Sequence, residues 1–251
     1  MEPTTTGRFR VLDRRPDGTI LLVDLEAAAA AIAEPETASD ADLRPLAVRP
    51  TVATDTNAAA TDTDADGSTP TVSADSRSTD TAESEPTDLA GTVAALEPGY
   101  VIEASLQWDD SEARFAACSI TNRTRIQYAD GVTGVFEKAK ETWHDAQVAG
   151  AAMNSAVTYS TGKDPNGVVY TFAKQRPPRD LFEEFRTGAT PIEPLIQRVD
   201  AEHADAGDTE AERAVFVLNP ADEEFVLLYI VFDRDGMLAK TVRDTYGLPA
   251  V

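Results

Sequence analysis

The sequence predicts an α+β fold: a mainly antiparallel sheet of about seven to nine strands, with two or three helices packed on it. Several segments alternate apolar and polar residues, as half-buried strands do, and short turn-forming sequences separate neighbouring strands. A segment in the middle of the chain instead repeats apolar residues every three or four positions, as helices do. Because short turns join strands side by side, they favour antiparallel pairing over the parallel pairing that needs a long crossover.

The first 33 residues predict a β-hairpin and a short helix that form part of the core. Phe9 and Val11 lie on the first strand, residues 15–18 have turn chemistry, and residues 20–25 form the second strand. A hairpin of two strands alone is only marginally stable in water. We therefore expect this segment to pack against the rest of the chain.

Residues 34–98 predict a disordered acidic insert. Between Thr51 and Ala90, the residues Thr, Ala, Asp and Ser account for 30 of 40 positions, and none of the 40 is aromatic. Such a segment cannot bury enough apolar surface to offset a backbone ordering cost of about 1–2 kcal/mol per residue. The insert interrupts the sequence of a single domain, which residues 99–251 complete.

The remaining predicted elements lie within residues 99–251. In chain order they are strands over 100–108 and 113–128 with a break near Asn122, a helix over about 134–153, a hairpin over 157–172 with its turn at 164–167, helix starts at Asp180 and Thr190, and strands over 214–218, 225–232 and 237–242. Thr190 to Glu193 has the residues of a capping box. The unbroken apolar run at 225–232 predicts a central strand covered on both faces.

The chain is strongly acidic, with 44 acidic and 22 basic residues, a formal net charge of −22 and only five lysines. Acidic, lysine-poor surfaces stay hydrated at high salt, where the Debye length falls to about 3 Å at 1 M. The composition and the order of a β-rich start, an acidic Thr/Asp/Ala-rich insert and an α+β remainder resemble uncharacterised families of halophilic archaea. The resemblance implies a high-salt, cytoplasmic setting and no known activity. The longest apolar run is also far shorter than the about 20 residues of a membrane helix, so we expect no membrane association.

No motif of known chemistry is recognised. One cysteine, Cys118, and two histidines are too few for a multi-thiolate metal site, and no phosphate-binding loop, nucleophile elbow or dinucleotide motif is present. We therefore predict no catalytic residues, no metal site and no cofactor. The alternative is a small hydrolase or transferase that uses carboxylates, because the acidic residues offer many pairs.

Residues 113–179 depart from the acidic character, with a net charge of +4 and four of the five lysines. Arginine offers planar, bidentate contacts to phosphate groups. We therefore predict a non-catalytic binding or regulatory protein whose partner is a nucleic acid, a nucleotide or an acidic protein. The predicted anion-binding residues are Arg123, Arg125, Lys138, Lys140, Arg176 and Arg179. The alternative role of these cations is to pair with the excess carboxylates. Arg213 and Arg243, in the acidic C-terminal part, are expected to take no part in anion binding.

Overall fold

A computed structural model describes residues 3–33, 44–52, 88–175, 179–203 and 211–250. These residues contain ten strands and six helices. The strands are β1 (Thr4–Arg14), β2 (Ile20–Asp24), β3 (Leu46–Val52), β4 (Val101–Asp109), β5 (Glu112–Asn122), β6 (Arg125–Val132), β7 (Met153–Tyr159), β8 (Pro165–Ala173), β9 (Ala214–Pro220) and β10 (Phe225–Val231). The helices are α1 (Leu25–Ala33), α2 (Leu89–Ala94), α3 (Glu137–Ala149), α4 (Leu181–Thr187), α5 (Glu193–His203) and α6 (Met237–Tyr246).

The first five strands close into a barrel in the order β1-β2-β3-β5-β4. β3 and β5 run parallel, and the other neighbouring strands run antiparallel. The interior is filled by large side chains such as Phe9, Ile102 and Phe115, and the same cluster includes Val93 of α2 and Leu96, which follows that helix. This strand order, with a helix between β3 and β4, is the arrangement of the OB-fold, a five-stranded Greek-key barrel.

A β-bulge in β5 changes which residues face the barrel interior. Leu106 of β4 lies opposite Phe115, and Ser105 lies opposite Ala117, so Ala116 is an extra residue on β5. Phe115 and Cys118 are therefore both buried, although their positions do not fit a single two-residue alternation.

The other five strands form a second sheet in the order β6-β9-β10-β8-β7. Helices α3 and α6 pack on one face of this sheet, and α4 and α5 pack on the other. On the first face, the rings of Trp143 and Phe225 lie 5.7 Å apart between centroids. β10 is buried along its whole length between β9 and β8, which confirms the predicted central strand. Within the described residues, no helix is long and apolar enough to cross a bilayer.

One apolar cluster joins the outer face of the barrel to the second sheet. Leu21 and Val23, on the outer face of β2, are buried in the same cluster as Phe182 of α4, Ile196 of α5 and Leu228 of β10. The chain passes from the barrel to the second sheet at residues 123 and 124, immediately after Asn122. The predicted break in the strand is therefore the crossing between the two halves of the fold.

The fold class is α+β as predicted, but the prediction of one mainly antiparallel sheet is wrong. The described residues form two mixed sheets of five strands each and contain six helices in place of two or three. The parallel pairs, β3 with β5 and β6 with β9, join strands that are distant in the sequence. Local alternation predicts strands but carries no information about such distant pairing.

The prediction of a disordered insert over all of residues 34–98 is wrong for the parts of this range that the structure describes. β3 lies within this range because Leu46 and Val48 alternate with outward residues and pack in the barrel. The range also contains α2, in which Leu89 and Val93 have helical spacing and pack in the barrel cluster. Residues 34–43 and 53–87 lie outside the described residues.

Two local predictions are also wrong. The strand expected over 237–242 is helix α6, because Ala239 and Val242 are buried at helical spacing and Gly247 ends the helix with a φ of 65°. The hairpin of β7 and β8 turns at residues 160–164, before the expected turn, since the Ser160 amide donates to the Asp164 carbonyl at 2.8 Å.

Candidate functional site

The structure describes five of the six predicted anion-binding residues and places them in three separate parts of the fold. Lys138 and Lys140 lie on α3, where they pair with Glu141 and Glu223, each at 3.3 Å. Arg179 precedes α4, which covers the opposite face of the second sheet, and it donates two hydrogen bonds to the Glu184 carboxylate. Arg176 lies outside the described residues.

Arg123 and Arg125 lie instead at the crossing from the barrel to the second sheet, where Arg234 and Arg243 join them. Arg234 Nη1 donates to the Arg123 carbonyl at 3.0 Å, and Arg243 Nη2 donates to the Arg234 carbonyl at 2.9 Å. We call these four residues the arginine cluster. Arg243 is therefore a neighbour of the predicted residues, although its place in the sequence puts it apart from them.

The arginine cluster holds more positive charge than its ion pairs neutralise. Arg125 pairs with Glu97 at 3.2 Å, and Arg234 pairs with two carboxylates, Glu212 at 2.8 Å and Asp235 at 2.7 Å.

Arg243 is buried in the cluster and forms no ion pair with a carboxylate of the described residues. Its Nε donates to Gln127 Oε1 at 2.9 Å, and its guanidinium lies 5.7 Å from the centre of the Phe216 ring. Burial, and after it the positive charge of Arg125, lowers the pKa of Arg243. A bound anion near Arg243 would offset the repulsion between Arg243 and Arg125.

Arg123 is the member of the cluster that faces solvent. Its guanidinium lies over the ring of Tyr100, at 5.6 Å from the ring centre, and it pairs with no carboxylate that the structure describes. Only its backbone amide contacts Glu212, at 3.2 Å. A guanidinium stacked on an aromatic ring keeps one planar face and its N–H groups available to a ligand.

A close backbone approach holds Tyr100 beneath Arg123. Gly99 has a φ of 100°, and a Cβ atom at this position would lie 2.5 Å from both the Ile126 amide nitrogen and the Thr124 carbonyl oxygen. The Ile126 amide also donates to the Pro98 carbonyl at 2.7 Å. Glycine is therefore required where the barrel meets the crossing.

A second candidate site is a cleft of about 360 Å³ between the barrel and α5, which we call the polar cleft. Its central feature is a buried ion pair between Arg10 of β1, 6% exposed, and Glu193 of α5, 3% exposed. Arg10 Nη1 also donates to the Gly99 carbonyl at 2.9 Å, and Gln197 Nε2 donates to Glu193 at 3.1 Å. The expected capping box at Thr190 is wrong, because Glu193 faces Arg10 and α5 begins at Glu193.

Asp200 lies in the same cleft, two helical turns after Glu193. Burial raises the pKa of Asp200 above its ordinary value, and the hydrogen bond from Arg213 Nε, at 3.0 Å, opposes this shift. Arg213 is itself 4% exposed. The described part of the chain contains no group of three or more side chains placed to hold a metal ion.

The whole chain, residues 1–251, matches the model of a family of unknown function (DUF6663). The chain belongs to this family. Its membership of an uncharacterised family, expected from the sequence, is thereby confirmed. No curated protein and no solved structure matches the chain.

In this DUF6663 member, sequence reasoning missed arginines of both candidate sites: Arg234 and Arg243 of the arginine cluster, and Arg10 of the polar cleft. Arg234 and Arg243 carry no local signal, because pairing between β6 and β9 brings their segment to the crossing. Arg10 carries none either, because a strand residue between the apolar Phe9 and Val11 lies on the opposite face and is expected to be exposed. Its burial comes from the packing of α5 against the barrel, where Glu193 pairs with it.

Proposed function

We propose that the protein is a non-catalytic binding or regulatory protein that binds a small phosphate-bearing anion, such as a nucleotide, at the arginine cluster. The observation that carries this proposal is the exposed guanidinium of Arg123, which lies over the ring of Tyr100 without a described carboxylate partner. Arg243 supports it, because it is a buried cation whose hydrogen bonds go to neutral groups. Guanidinium groups bind phosphate oxygens with paired, charge-assisted hydrogen bonds.

The distribution of charge favours a small anion over a nucleic acid. An extended phosphate backbone needs a continuous row of cations. Lys138 and Lys140 are paired with carboxylates on one face of the second sheet, and Arg179 is paired on the other. These cations therefore do not extend the arginine cluster into a row.

The barrel topology does not favour a nucleic-acid partner either. OB-folds that bind oligonucleotides use the outer face of their second and third strands. In this protein Leu21 and Val23 of β2 are buried against α4 and α5 on that face. A shared fold is not evidence of a shared function when the corresponding surface is covered.

We also propose that the protein works in a high-salt cytoplasm of the kind found in halophilic archaea. The net charge of −22 and the five lysines support this setting. High salt weakens binding that depends on counterion release. A site that depends on the position of stacked and buried arginines is less sensitive to it.

A hydrolase or transferase that uses carboxylates is the second candidate. Asp200 favours it, because a carboxylate of raised pKa in a cleft is a candidate proton donor. However, both acidic residues of the cleft centre are held by arginines, Glu193 by Arg10 and Asp200 by Arg213. These two ion pairs attach α5 to β1 and to the residue before β9, so they have a structural role that needs no catalysis. We therefore place the enzyme second.

Calorimetric titration with inorganic pyrophosphate and with ATP, at 0.2 M and 2 M KCl, tests the anion site. We expect the parent protein to bind at both salt concentrations and Arg123→Gln to bind at least about tenfold more weakly, because the variant loses a charge-assisted contact. The matched control is Arg198→Gln, which removes an exposed arginine that pairs with Glu202 at 2.8 Å on α5. Arg213 and Arg243 are unsuitable controls because both are buried.

Equal binding by the parent, Arg123→Gln and Arg198→Gln would contradict the assignment of the site. Absence of binding by the parent to either probe would contradict the proposed function itself. A fluorescein-labelled single-stranded RNA of 15 nucleotides, titrated by anisotropy, separates the two kinds of partner. Binding of this RNA that Lys138→Gln weakens as strongly as Arg123→Gln does would favour a nucleic acid.

A further inference from the structure

β7 forms one edge of the second sheet, and among the described residues it pairs only with β8. The opposite edge, β6, is covered: the Ile126 amide donates to Pro98, and Gln127 Nε2 donates to the Pro249 carbonyl at 2.9 Å. Exposed edges are places where another strand can add, and natural proteins protect them with charges, prolines or bulges. Among the described residues, the β6 edge of this sheet is therefore covered and the β7 edge is open.

β7 carries neither a charge nor a proline as protection. Its seven residues, MNSAVTY, include no charge and no proline, although 26% of the residues in the chain are charged. The only irregularity in its register with β8 lies at its last residue pair, between Thr158 and Tyr159. Six of the seven residues therefore present a regular edge.

The exposed hydrophobic side chains of the described residues gather around this edge. Met153 and Tyr159, at the two ends of β7, are 42% and 61% exposed. Val148, 75% exposed, lies near the end of α3, which packs on β7. Met237, 84% exposed, lines a groove of about 510 Å³ together with Tyr159. Clustered exposed apolar residues mark an interaction surface.

We propose that β7 pairs antiparallel with β7 of a second copy of this chain, about a two-fold axis at Ala156, so that the two sheets form one sheet of ten strands. This register is self-complementary, as a two-fold interface must be. It places Met153 opposite Tyr159 of the second copy and Asn154 opposite Thr158 of the second copy. Directly opposed residues project to the same face, so each exposed methionine meets an exposed tyrosine, and sulfur–aromatic contacts are favourable.

The occupant that we infer is a second copy, because the register about Ala156 sets the two exposed apolar residues at the ends of β7 against each other. Two chains of net charge −22 repel each other, and they approach most closely where both surfaces lack charge. β7 is such a surface, and it offers nothing to select an acidic or a basic partner. The Debye length falls from about 10 Å at 0.1 M salt to about 3 Å at 1 M. The association should therefore strengthen with salt, and it does not depend on the anion site.

Sedimentation velocity over a concentration series of the full chain, in 0.1 M and 2 M KCl, tests the proposal. We expect a dimer whose dissociation constant is lower at 2 M KCl. Ser155→Lys places a charge on the exposed edge and should raise the dissociation constant at least about tenfold. The matched control, Ser119→Lys, makes the same change at an exposed position of β5 and should leave the constant unchanged. Thermal unfolding of both variants checks that they fold.

Disulfide cross-linking tests the register. Opposed residues of antiparallel strands have Cα atoms about 4.5–5.5 Å apart, within the reach of a disulfide. Ala156→Cys should therefore form a covalent dimer on oxidation. Met153→Cys should not, because the two copies of residue 153 would lie about 20 Å apart at 3.4 Å per residue. The native Cys118 is 7% exposed and should not contribute.

A monomer at every concentration and salt would overturn the proposal, and so would a dimer that Ser155→Lys leaves as tight as the parent. A dimer in which Met153→Cys cross-links and Ala156→Cys does not would overturn the register and with it the two-fold axis. Extended-peptide binding at β7 by a protein that stays monomeric would assign the edge to another partner, against self-pairing.

Discussion

The buried ion pair between Arg10 and Glu193 joins the barrel to α5, and Glu193→Ala tests how much it stabilises the fold. The change removes both carboxylate oxygens, which accept hydrogen bonds from Nε and Nη2 of Arg10. The guanidinium, in a residue only 6% exposed, then keeps the Gly99 carbonyl as its acceptor. Breaking a buried pair in this way costs about 3–5 kcal/mol. This is a large part of the about 5–15 kcal/mol that stabilises an ordinary domain.

Urea unfolding at fixed salt, followed by circular dichroism, measures the effect. The double variant Arg10→Met/Glu193→Leu should recover most of the loss, because an apolar pair avoids the desolvation of two charges. Glu202→Ala is the matched control on the same helix: it breaks the exposed pair with Arg198 and should change stability by no more than about 0.5 kcal/mol. A loss below about 1 kcal/mol for Glu193→Ala, or no recovery in the double variant, would refute this reasoning.

Three further predictions concern single positions. Burial raises the pKa of the Cys118 thiol to about 11, so iodoacetamide at pH 8 should label it only after unfolding; rapid labelling of the native protein would contradict this. Gly99→Ala should destabilise the protein severely, since its Cβ atom would meet backbone atoms at 2.5 Å, whereas Gly150→Ala, in open space with a φ of 64°, should cost about 1–2 kcal/mol in urea unfolding. The hydrogen bond from Arg179 lowers the pKa of Glu184 from 4.5 to about 2. The ionised Glu184 carboxylate therefore contributes its full stabilisation above pH 4.5 and loses it as the pH falls to about 2. Glu184→Gln should flatten the pH dependence of the urea midpoint across this interval.

Sequence patterns predict the local elements of this fold better than the pairing between them. The apolar run of β10 identifies a central strand because both of its faces must be covered, whatever covers them. The closure of the barrel depends on the parallel pair of β3 and β5, whose partners are separated by the long segment between Val52 and Leu89. In β5 the extra residue Ala116 shifts the alternation, and no residue type marks it as a bulge in advance.

The candidate site is predictable to the same extent. The charge pattern leads to Arg123 and Arg125, but Arg234 reaches Arg123 across 111 positions of sequence, through the pairing of the second sheet. The pair between Lys138 and Glu141 is different, because a spacing of three residues on a helix is visible in the sequence and favours an ion pair. Cations with such local partners are weaker candidates for ligand binding than cations without them.

The position of the arginine cluster follows from how the two halves of the fold are joined. Packing of β2 against α4 and α5 covers the face that an OB-fold barrel uses for ligands. The same packing brings Tyr100 of the barrel beneath Arg123 of the crossing, with Arg234 and Arg243 of the C-terminal third beside it. The four arginines therefore belong to the crossing and to the second half, and the ring beneath Arg123 comes from the barrel. Any anion that the assembled cluster binds more tightly than the separated halves would stabilise their association by that difference.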